Sequence, residues 1–209
     1  MALSNHFEAI QDHLDKYFNA DDEIIVFHEK ESPYFHLDIY WIKPSNNRDF
    51  SILMSNGISS IPLKVPNENL VKYIELCILL PNEWDLNNEN WKKEENFWPI
   101  KLLKNIGRYP IKNNTWLGFG HTTQLENKIV GTEFIATILL KSKTLPLEFQ
   151  KIKYDSNVIE LYILFPLYYD ELEYNMQNGT NKLLDLFTNE NISDIINIKR
   201  KNVCINMKL

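Results

Sequence analysis

This 209-residue chain has few cysteines, few glycines and no long apolar run, and each shortage excludes a class of protein. Its two cysteines, Cys77 and Cys204, are far apart and form no CxxC pair, which argues against a disulfide scaffold. No apolar run reaches the roughly 18 residues that a membrane-spanning helix requires. The N-terminal residues also lack the basic and apolar segments of a secretory signal peptide. We therefore expect a cytoplasmic protein with no membrane partner.

Basic side chains are also fewer than acidic ones. The chain has 22 Lys and Arg residues and 28 Asp and Glu residues, which gives a net charge of −6. Because the phosphate backbone repels a negatively charged protein, direct binding to nucleic acid is not expected. The same charge would favour an encounter with a basic protein surface. Hydrophobic residues make up 44% of the chain and aromatic residues 12%, which is typical of a globular protein with a large core.

Hydrophobic periodicity predicts a helix followed by a hairpin in the first quarter of the chain. Residues 4–19 form a helix with Ser4 as N-cap, because their apolar residues recur at helical spacing: Phe7, Ile10, Leu14 and Phe18. Residues 23–29 are rich in β-branched side chains, and residues 35–41 alternate between apolar and polar ones. This alternation predicts a strand with one buried face, paired with the strand before it.

The rest of the chain is predicted to alternate between strands and helices without an interdomain linker. The expected strands cover residues 50–55, 73–81, 134–141 and 157–166, of which 73–81 is apolar apart from Glu75 and should be central. The expected helices cover residues 98–110, with Pro99 in the first turn, and 168–187, with a break at Asn178-Gly179. Residues 192–209 are predicted to form a tail or an edge strand. We therefore expect a single α+β domain over residues 1–209.

Two of the six glycines, Gly118 and Gly120, lie one residue apart in the stretch NNTWLGFGHTT. A dinucleotide-binding fingerprint needs a third glycine three residues after the second, but position 123 is Thr, and the Walker lysine is missing too. His121 follows these glycines, yet the chain has no GxSxG elbow and neither cysteine lies in a Gly-rich polar turn. We therefore predict no catalytic residue, no cofactor and no enzymatic activity. A hydrolase centred on His121 is the less favoured alternative.

His28, His36 and Asp38 fall on the two strands of the predicted hairpin, and His36 and Asp38 share a face. Two imidazoles and a carboxylate are ligands that zinc accepts. The spacing is not specific, however, and the same alternation could place these side chains on a solvated face. No metal site is predicted, and zinc binding by these three residues stays an open alternative.

Tryptophans separate into two groups. Trp98 and Trp116 bracket the predicted helix and the turn after it, where they should pack on the sheet. Trp84 and Trp91 lie in the polar stretch WDLNNENWKKEEN, and aromatic residues in such exposed positions are enriched at interface hot spots. Acidic residues nearby are solvated surface or contacts for a cationic partner. The candidate partner-binding residues are therefore the following: Trp84, Trp91, Glu94, Glu95 and His121.

Several motifs follow one another in a defined order over roughly residues 20–190. The first are Met54-Ser55-Asn56-Gly57-Ile58-Ser59, followed by Pro62, and then the apolar strand that runs from Glu75 to Pro81. Trp98-Pro99 opens the predicted helix, Thr115–Thr122 reads TWLGFGHT, and Phe165-Pro166-Leu167-Tyr168 follows later. This order resembles the suppressor of fused family, in which the last two motifs read T-W-L-G-x-G-H-T and x-P-L-Y. The residues that carry this signature are: Gly57, Pro62, Trp98, Pro99, Trp116, Gly118, Gly120, His121 and Pro166.

The resemblance implies a mixed, largely antiparallel β-sheet flanked by helices, and a binding protein rather than an enzyme. Bacterial stand-alone members of the family look like immunity proteins, which neutralise a cognate toxin, often a nuclease, through a stoichiometric complex. We therefore expect an antitoxin whose partner carries a basic surface. The alternative is a general adaptor that captures an extended peptide on a sheet edge. In either case the NNTWLGFGHTT stretch should be structural, with Gly118 and Gly120 supplying backbone angles or a close approach.

Overall fold

The computed structural model describes residues 5–19, 22–29, 35–87 and 89–205. These residues form four helices and eight strands, with 3-10 turns at Ile58–Ser60 and Asn90–Lys92. The helices are α1 (Asn5–Tyr17), α2 (Glu94–Lys112), α3 (Tyr169–Asn178) and α4 (Thr180–Asn189). The strands are β1 (Ile24–Phe27), β2 (Asp38–Ile42), β3 (Phe50–Asn56), β4 (Tyr73–Pro81), β5 (Thr122–Gln124), β6 (Ala136–Leu140), β7 (Lys151–Tyr154) and β8 (Asn157–Leu167).

All eight strands belong to one sheet with the order β1-β2-β3-β4-β8-β6-β5, and β7 pairs with β8 beside this path. The pairing of β4 with β8 is parallel and sets Cys77 opposite Ile163, whereas the other pairs in the described sheet are antiparallel. The predicted α+β fold with a mixed, largely antiparallel sheet is confirmed. The parallel pair requires a long crossover from β4 to β8, and α2 lies within that crossover.

Strand β4 lies at the centre of the sheet, as its apolar run predicted. Every residue from Ile74 to Leu80 is buried, because β3 and β8 flank the strand and α2 packs across it. Helix α1 is confirmed too, with Ile10 and Leu14 fully buried. The predicted cap Ser4 lies outside the described residues. The break between α3 and α4 falls at Gly179, whose φ of 86° is readily adopted only by glycine.

Strand β2 differs from its prediction, because both of its faces are buried rather than one. Ile39 and Trp41 are buried as expected, but Asp38 and Ile42 on the opposite face are buried too. Asp38 tolerates burial because its carboxylate accepts hydrogen bonds from the backbone and side chains of the segments next to β1 and β2. The alternation of polar and apolar residues therefore predicted a strand correctly, but its prediction that one face would be exposed to solvent was wrong.

Helix α2 is longer than predicted at both ends, and neither proline bounds it. It begins at Glu94, so Pro99 lies beyond the first turn, and it continues past Pro110 to Lys112. A proline at such a position removes one helical hydrogen bond. The apolar face that includes Trp98, Leu102 and Leu103 is buried and offsets that cost. Glu94 and the next residue, also Glu, suit the positive end of the helix dipole.

Three parts of the chain differ from the prediction, and the first is the short strand β5, which was not predicted. Strand β7 was missed, and it forms a tight hairpin with β8 around Asp155, which has a φ of 49°. Residues 192–209 were predicted to be a tail or an edge strand, and the structure describes them as far as residue 205. The structure instead shows an irregular segment that bridges Leu79 of β4 through Ile195 and then buries Arg200. None of the described helices is both long and apolar enough to cross a membrane.

Candidate partner-binding groove

Trp84 is fixed at the point where the central strand leaves the sheet. Its backbone N–H donates to the carbonyl of Pro81 at 3.0 Å, which turns the chain tightly after β4. Its indole N–H donates to the carbonyl of Asn96 at 3.0 Å, and its ring meets Trp98 edge-on with centroids 5.6 Å apart. Trp84 therefore joins the end of β4 to the start of α2, with part of its side chain still accessible.

The polar loop after Trp84 is ordered by short-range hydrogen bonds and by the burial of Leu86 in the core. Asp85 accepts a hydrogen bond from the backbone N–H of Asn87 at 2.7 Å, and a further one from the side chain of Asn90. These donors, the backbone N–H of Asn87 first, lower the pKa of Asp85 below its ordinary value. The Asn96 amide donates to the carbonyl of Asn90 at 3.1 Å and ties the loop to α2.

Residues 193–199 face this loop and form the second wall of a groove. The N–H of Ile196 donates to the carbonyl of Leu79 at 2.8 Å. This hydrogen bond attaches the second wall to β4, the strand that ends just before Trp84. The groove has a volume of about 790 Å³. We call it the acidic groove, and its lining residues are Pro81, Glu83, Trp84, Asp85, Glu95, Asn96, Ser193, Ile195, Ile196, Asn197, Ile198 and Lys199.

The charge of the acidic groove is one-sided. Three carboxylates, Glu83, Asp85 and Glu95, face a single cation, Lys199. A second groove of about 820 Å³, between α1 and β7, is lined by four acidic side chains and three lysines, so its charges largely cancel. Low-dielectric walls that carry one sign of charge concentrate the field and attract cationic groups. The acidic groove is therefore the better candidate for a basic partner.

Only two of the five predicted partner-binding residues line the acidic groove, and they are Trp84 and Glu95. Trp91 packs on Phe97 with ring centroids 5.8 Å apart and retains 37% of its surface exposed. Glu94 is exposed and pairs with Lys101 at 2.7 Å, which lowers the pKa of that carboxyl. No local pattern pointed to the opposite wall, because residues 193–199 reach the groove only through the tertiary fold.

His121 lies in the NNTWLGFGHTT turn and not in the acidic groove. Its ring meets Trp116 at a centroid distance of 4.2 Å, and its backbone N–H donates to the carbonyl of Gly118 at 3.1 Å. Burial lowers the pKa of His121, and a hydrogen bond to the Trp116 backbone partly opposes that shift. The imidazole is thus held by its own turn, which is the structural role expected of it.

The two glycines of this turn leave no space for a side chain. A Cβ atom on Gly120 would lie 2.6 Å from the Thr180 hydroxyl oxygen at the start of α4, and the φ of Gly120 is 80°. A Cβ atom on Gly118 would lie 2.9 Å from the ring of Trp116. Both the backbone angle and the close approach expected of these glycines are therefore present. The turn connects α2 to β5 and packs against the start of α4, so its role is structural.

Glu75 is a buried carboxylate that sequence reasoning treated only as part of a motif. It lies on β4 and accepts four hydrogen bonds: from the Ser55 hydroxyl at 2.5 Å, the Gly57 N–H at 3.0 Å, and the N–H and hydroxyl of Ser59 at 3.0 and 2.7 Å. Burial raises the pKa of Glu75, and these donors oppose the shift. The carboxylate thereby holds the turn at Gly57, where a Cβ atom would lie 2.1 Å from the carbonyl oxygen of His36.

Glu171 and Arg200 form a second buried polar cluster, which anchors the segment that carries the groove wall. Two guanidinium nitrogens of Arg200 donate to the two carboxylate oxygens of Glu171, each at 2.6 Å. Arg200 also donates to the carbonyl of Pro166 at 2.9 Å, and its guanidinium lies 4.8–5.4 Å from four ring centroids. Those rings are Phe134, Phe165, Tyr168 and Phe187. No sequence motif pointed to Arg200, because its partner is 29 residues away.

Both cysteines are free and buried. Burial raises the pKa of Cys77 far above its ordinary value and that of Cys204 to about 11. A thiol acts as a nucleophile only as the thiolate, so neither cysteine is activated at neutral pH. In contrast, His28, His36 and Asp38 do come together, with their candidate ligand atoms all within 4.8 Å of one another. The two histidines lie just outside β1 and β2 rather than on them.

Comparison with known proteins assigns this fold and sequence pattern to one family. A family model described as Suppressor of fused protein (SUFU) matches residues 34–201. An uncharacterised protein of Ureaplasma parvum serovar 3 is 28% identical over 194 residues, which cover 90% of either chain.

Solved structures share the fold at low sequence identity. A SUFU homologue of Neisseria gonorrhoeae FA 1090 superposes with a TM-score of 0.69 at 16% identity, covering 95% of this chain and 97% of that one. A chain of the Sufu-Fu complex gives a TM-score of 0.67 at 16% identity, with coverage of 95% and 92%. Drosophila Suppressor of Fused gives 0.64 at 15% identity, and this chain spans about half of its length. The chain described above belongs to the suppressor of fused (SUFU) family.

Proposed function

We propose that this protein is an immunity protein, which neutralises a cognate bacterial toxin by binding it with one-to-one stoichiometry. The observation that carries the proposal is the acidic groove, in which Trp84 is set among three carboxylates that face a single lysine. An aromatic anchor surrounded by charges of one sign is suited to a protein surface of the opposite sign. A toxin that cleaves nucleic acid needs such a basic surface to hold its substrate.

Electrostatics would act mainly on the rate of association. The net charge of −6 and the one-sided groove attract a basic partner from a distance, and this attraction weakens as salt screens it. Once the surfaces meet, Trp84 supplies a partly exposed aromatic surface whose orientation is already fixed by Trp98 and Asn96. A side chain that is ordered before binding loses less entropy in the complex.

The proposal requires no chemistry from the chain itself. The His121 ring is packed against Trp116 in its own turn, and both thiols are held protonated by burial. Inhibition would then follow from occupying the toxin's surface, in the cytoplasm of the cell that makes both proteins. A chain of similar fold occurs in a complex with a protein partner, in the Sufu-Fu complex, which supports protein binding as the general role.

The test is co-expression with the toxin encoded by the neighbouring gene, comparing two charge-reversal variants. Glu83→Lys/Glu95→Lys changes the acidic groove and leaves Asp85, which orders the loop, in place. Asp12→Lys/Glu148→Lys changes the mixed groove between α1 and β7 by the same total charge and is the matched control. Wild type and control should protect the cell. The groove variant should protect poorly, and its association with purified toxin should be slower by about tenfold at low salt.

Two results would contradict parts of the proposal. Cells that die as fast with the wild-type protein as without it would exclude an immunity role against that toxin. Equal loss of protection by both charge variants would show that net charge matters and that the acidic groove does not. Full protection by His121→Ala would argue against the alternative of a hydrolase centred on His121.

A second candidate function is a peptide-binding adaptor that captures an extended segment on a sheet edge. It is favoured by the topology, since β1 and β5 are the terminal strands of the described sheet and each pairs on one side there. Such an adaptor would recognise backbone more than sequence. A pull-down that returned many unrelated chains, rather than one toxin, would favour this function over the immunity role.

A further inference from the structure

We propose that His28, His36 and Asp38 form a zinc-binding site at the end of the β1–β2 hairpin. Nδ1 of His28 lies 3.0 Å from Oδ2 of Asp38, and Nε2 of His36 lies 2.8 Å from Oδ1 of the same carboxylate. All three candidate ligand atoms lie within 4.8 Å of one another. The proposal is independent of the toxin and of the acidic groove.

The two histidine–carboxylate separations are close to those around a single tetrahedral ion, and the two imidazole nitrogens lie within 4.8 Å of each other. Zinc bonds of about 2.0–2.2 Å to nitrogen and oxygen place neighbouring ligands roughly 3.4 Å apart. The two histidine–carboxylate distances are slightly shorter than this, as expected when a hydrogen rather than a metal joins the atoms. A zinc ion would take the place of the hydrogen atoms in the two histidine–Asp38 hydrogen bonds. The two exposed histidine side chains would rotate to direct their nitrogen lone pairs at the ion.

The carboxylate at the centre of the site is held in place by the backbone. The N–H of Glu29 donates to Oδ1 of Asp38 at 2.9 Å, which fixes the orientation of the carboxylate. Glu29 in turn accepts from the N–H of Leu37 at 3.1 Å and pairs with Arg108 of α2. Supporting contacts of this kind orient metal ligands and raise affinity. The frame therefore exists before any ion binds.

The site also has an open side. The side chains of His28 and His36 are 71% and 51% exposed, whereas that of Asp38 is 9% exposed. Three protein ligands with an accessible fourth position leave room for water or a ligand from a partner. Lys104 of α2 interacts electrostatically with Asp38 and would oppose a bound cation. Removing the charge of Lys104 should therefore strengthen zinc binding.

The experiment titrates chelator-treated protein with zinc chloride and follows heat release and thermal unfolding. Wild type should bind one equivalent, and zinc at about 100 times Kd should raise Tm by about 5–10 °C. His28→Ala and His36→Ala should each abolish the shift, and both replace exposed side chains, so folding should not suffer. His121→Ala is the control that removes a histidine elsewhere and should keep the shift. Lys104→Gln should lower Kd by a few fold.

Zinc binding that is absent in wild type would overturn the proposal. So would a shift that survives in the His28→Ala/His36→Ala double variant, because the ion would then bind elsewhere. Loss of the shift in His121→Ala with retention in the other variants would assign the ion to the NNTWLGFGHTT turn instead.

Discussion

Carboxylates occupy two contrasting environments in this protein, the acidic groove and the buried polar clusters. In the groove, Asp85 is half-buried, and hydrogen bonds from its own loop lower its pKa. Inside the fold, Glu75 is fully buried, and burial raises its pKa although four donors point at it. The same chemical group is therefore shifted in opposite directions, because loss of hydration dominates in one place and local donors in the other.

The difference shows which charges remain free to meet a partner. Glu75 and Glu171 direct their oxygens at internal donors and hold together segments that are distant in sequence. Glu83 and Glu95 lie on the groove surface, where water solvates them. Buried carboxylates should thus control stability and groove carboxylates should control association. Four predictions test this division.

The largest effect is expected where a buried charge loses its partner. Arg200→Ala leaves the buried Glu171 side chain without its guanidinium partner, which should cost about 3–5 kcal/mol of unfolding free energy. Glu171→Leu/Arg200→Met removes both charges and should cost less than Arg200→Ala alone. Urea denaturation of the three proteins gives the comparison. A loss below about 1 kcal/mol in Arg200→Ala would mean that the pair is not needed for stability.

Removing the acceptor of the Gly57 turn should have the next largest effect. Glu75→Leu leaves two backbone N–H groups and two hydroxyls without their acceptor, which should destabilise the fold by about 2–4 kcal/mol. Glu75→Gln retains an oxygen acceptor and should cost about 1 kcal/mol. Thermal unfolding of both variants measures this. Equal losses would show that the volume of the side chain, and not its hydrogen bonds, stabilises the turn.

The raised pKa of Glu75 predicts a pH dependence of smaller size. As pH rises above the ordinary glutamate value of about 4.5, the unfolded chain releases this proton first, while the folded protein retains it up to its higher pKa. Stability from this group is therefore present at low pH and lost as pH rises through that window. The advantage of wild type over Glu75→Gln should shrink as pH rises above the ordinary glutamate value of about 4.5. Denaturation curves in which the advantage grows with pH would reverse the assigned direction.

Charge reversal in the groove should change stability least. Glu83→Lys/Glu95→Lys alters exposed side chains and should change the unfolding free energy by no more than about 0.5 kcal/mol. The matched pair Asp12→Lys/Glu148→Lys should do the same. Urea denaturation measures the unfolding free energy of both charge-reversal variants, for comparison with the variants of the buried sites. A loss comparable to that of Glu75→Leu would show that the groove carboxylates are structural, and the division proposed above would fail.

Local patterns predicted the elements whose environment is simple. The apolar run of β4 requires a central position, and the stripe through Ile10 and Leu14 requires a helix with one buried face, and both are found. The ends of α2 could not be predicted in this way, because packing of its buried face offsets the cost of Pro99. Trp84 and Glu95, which line the acidic groove, were candidates because of the polar stretch around them, whereas residues 193–199 carried no local pattern that pointed to this wall.

The sequence by itself determined the family, the fold class and the sign of the charge, since all three depend on motif order, periodicity and composition. Only the tertiary structure decided which polar groups are buried together. Glu171 and Arg200 pair across the fold, and chain connectivity does not specify that pairing. The physical reason is that the charge state of a side chain depends on hydration and on near neighbours, which exist only once the chain has packed.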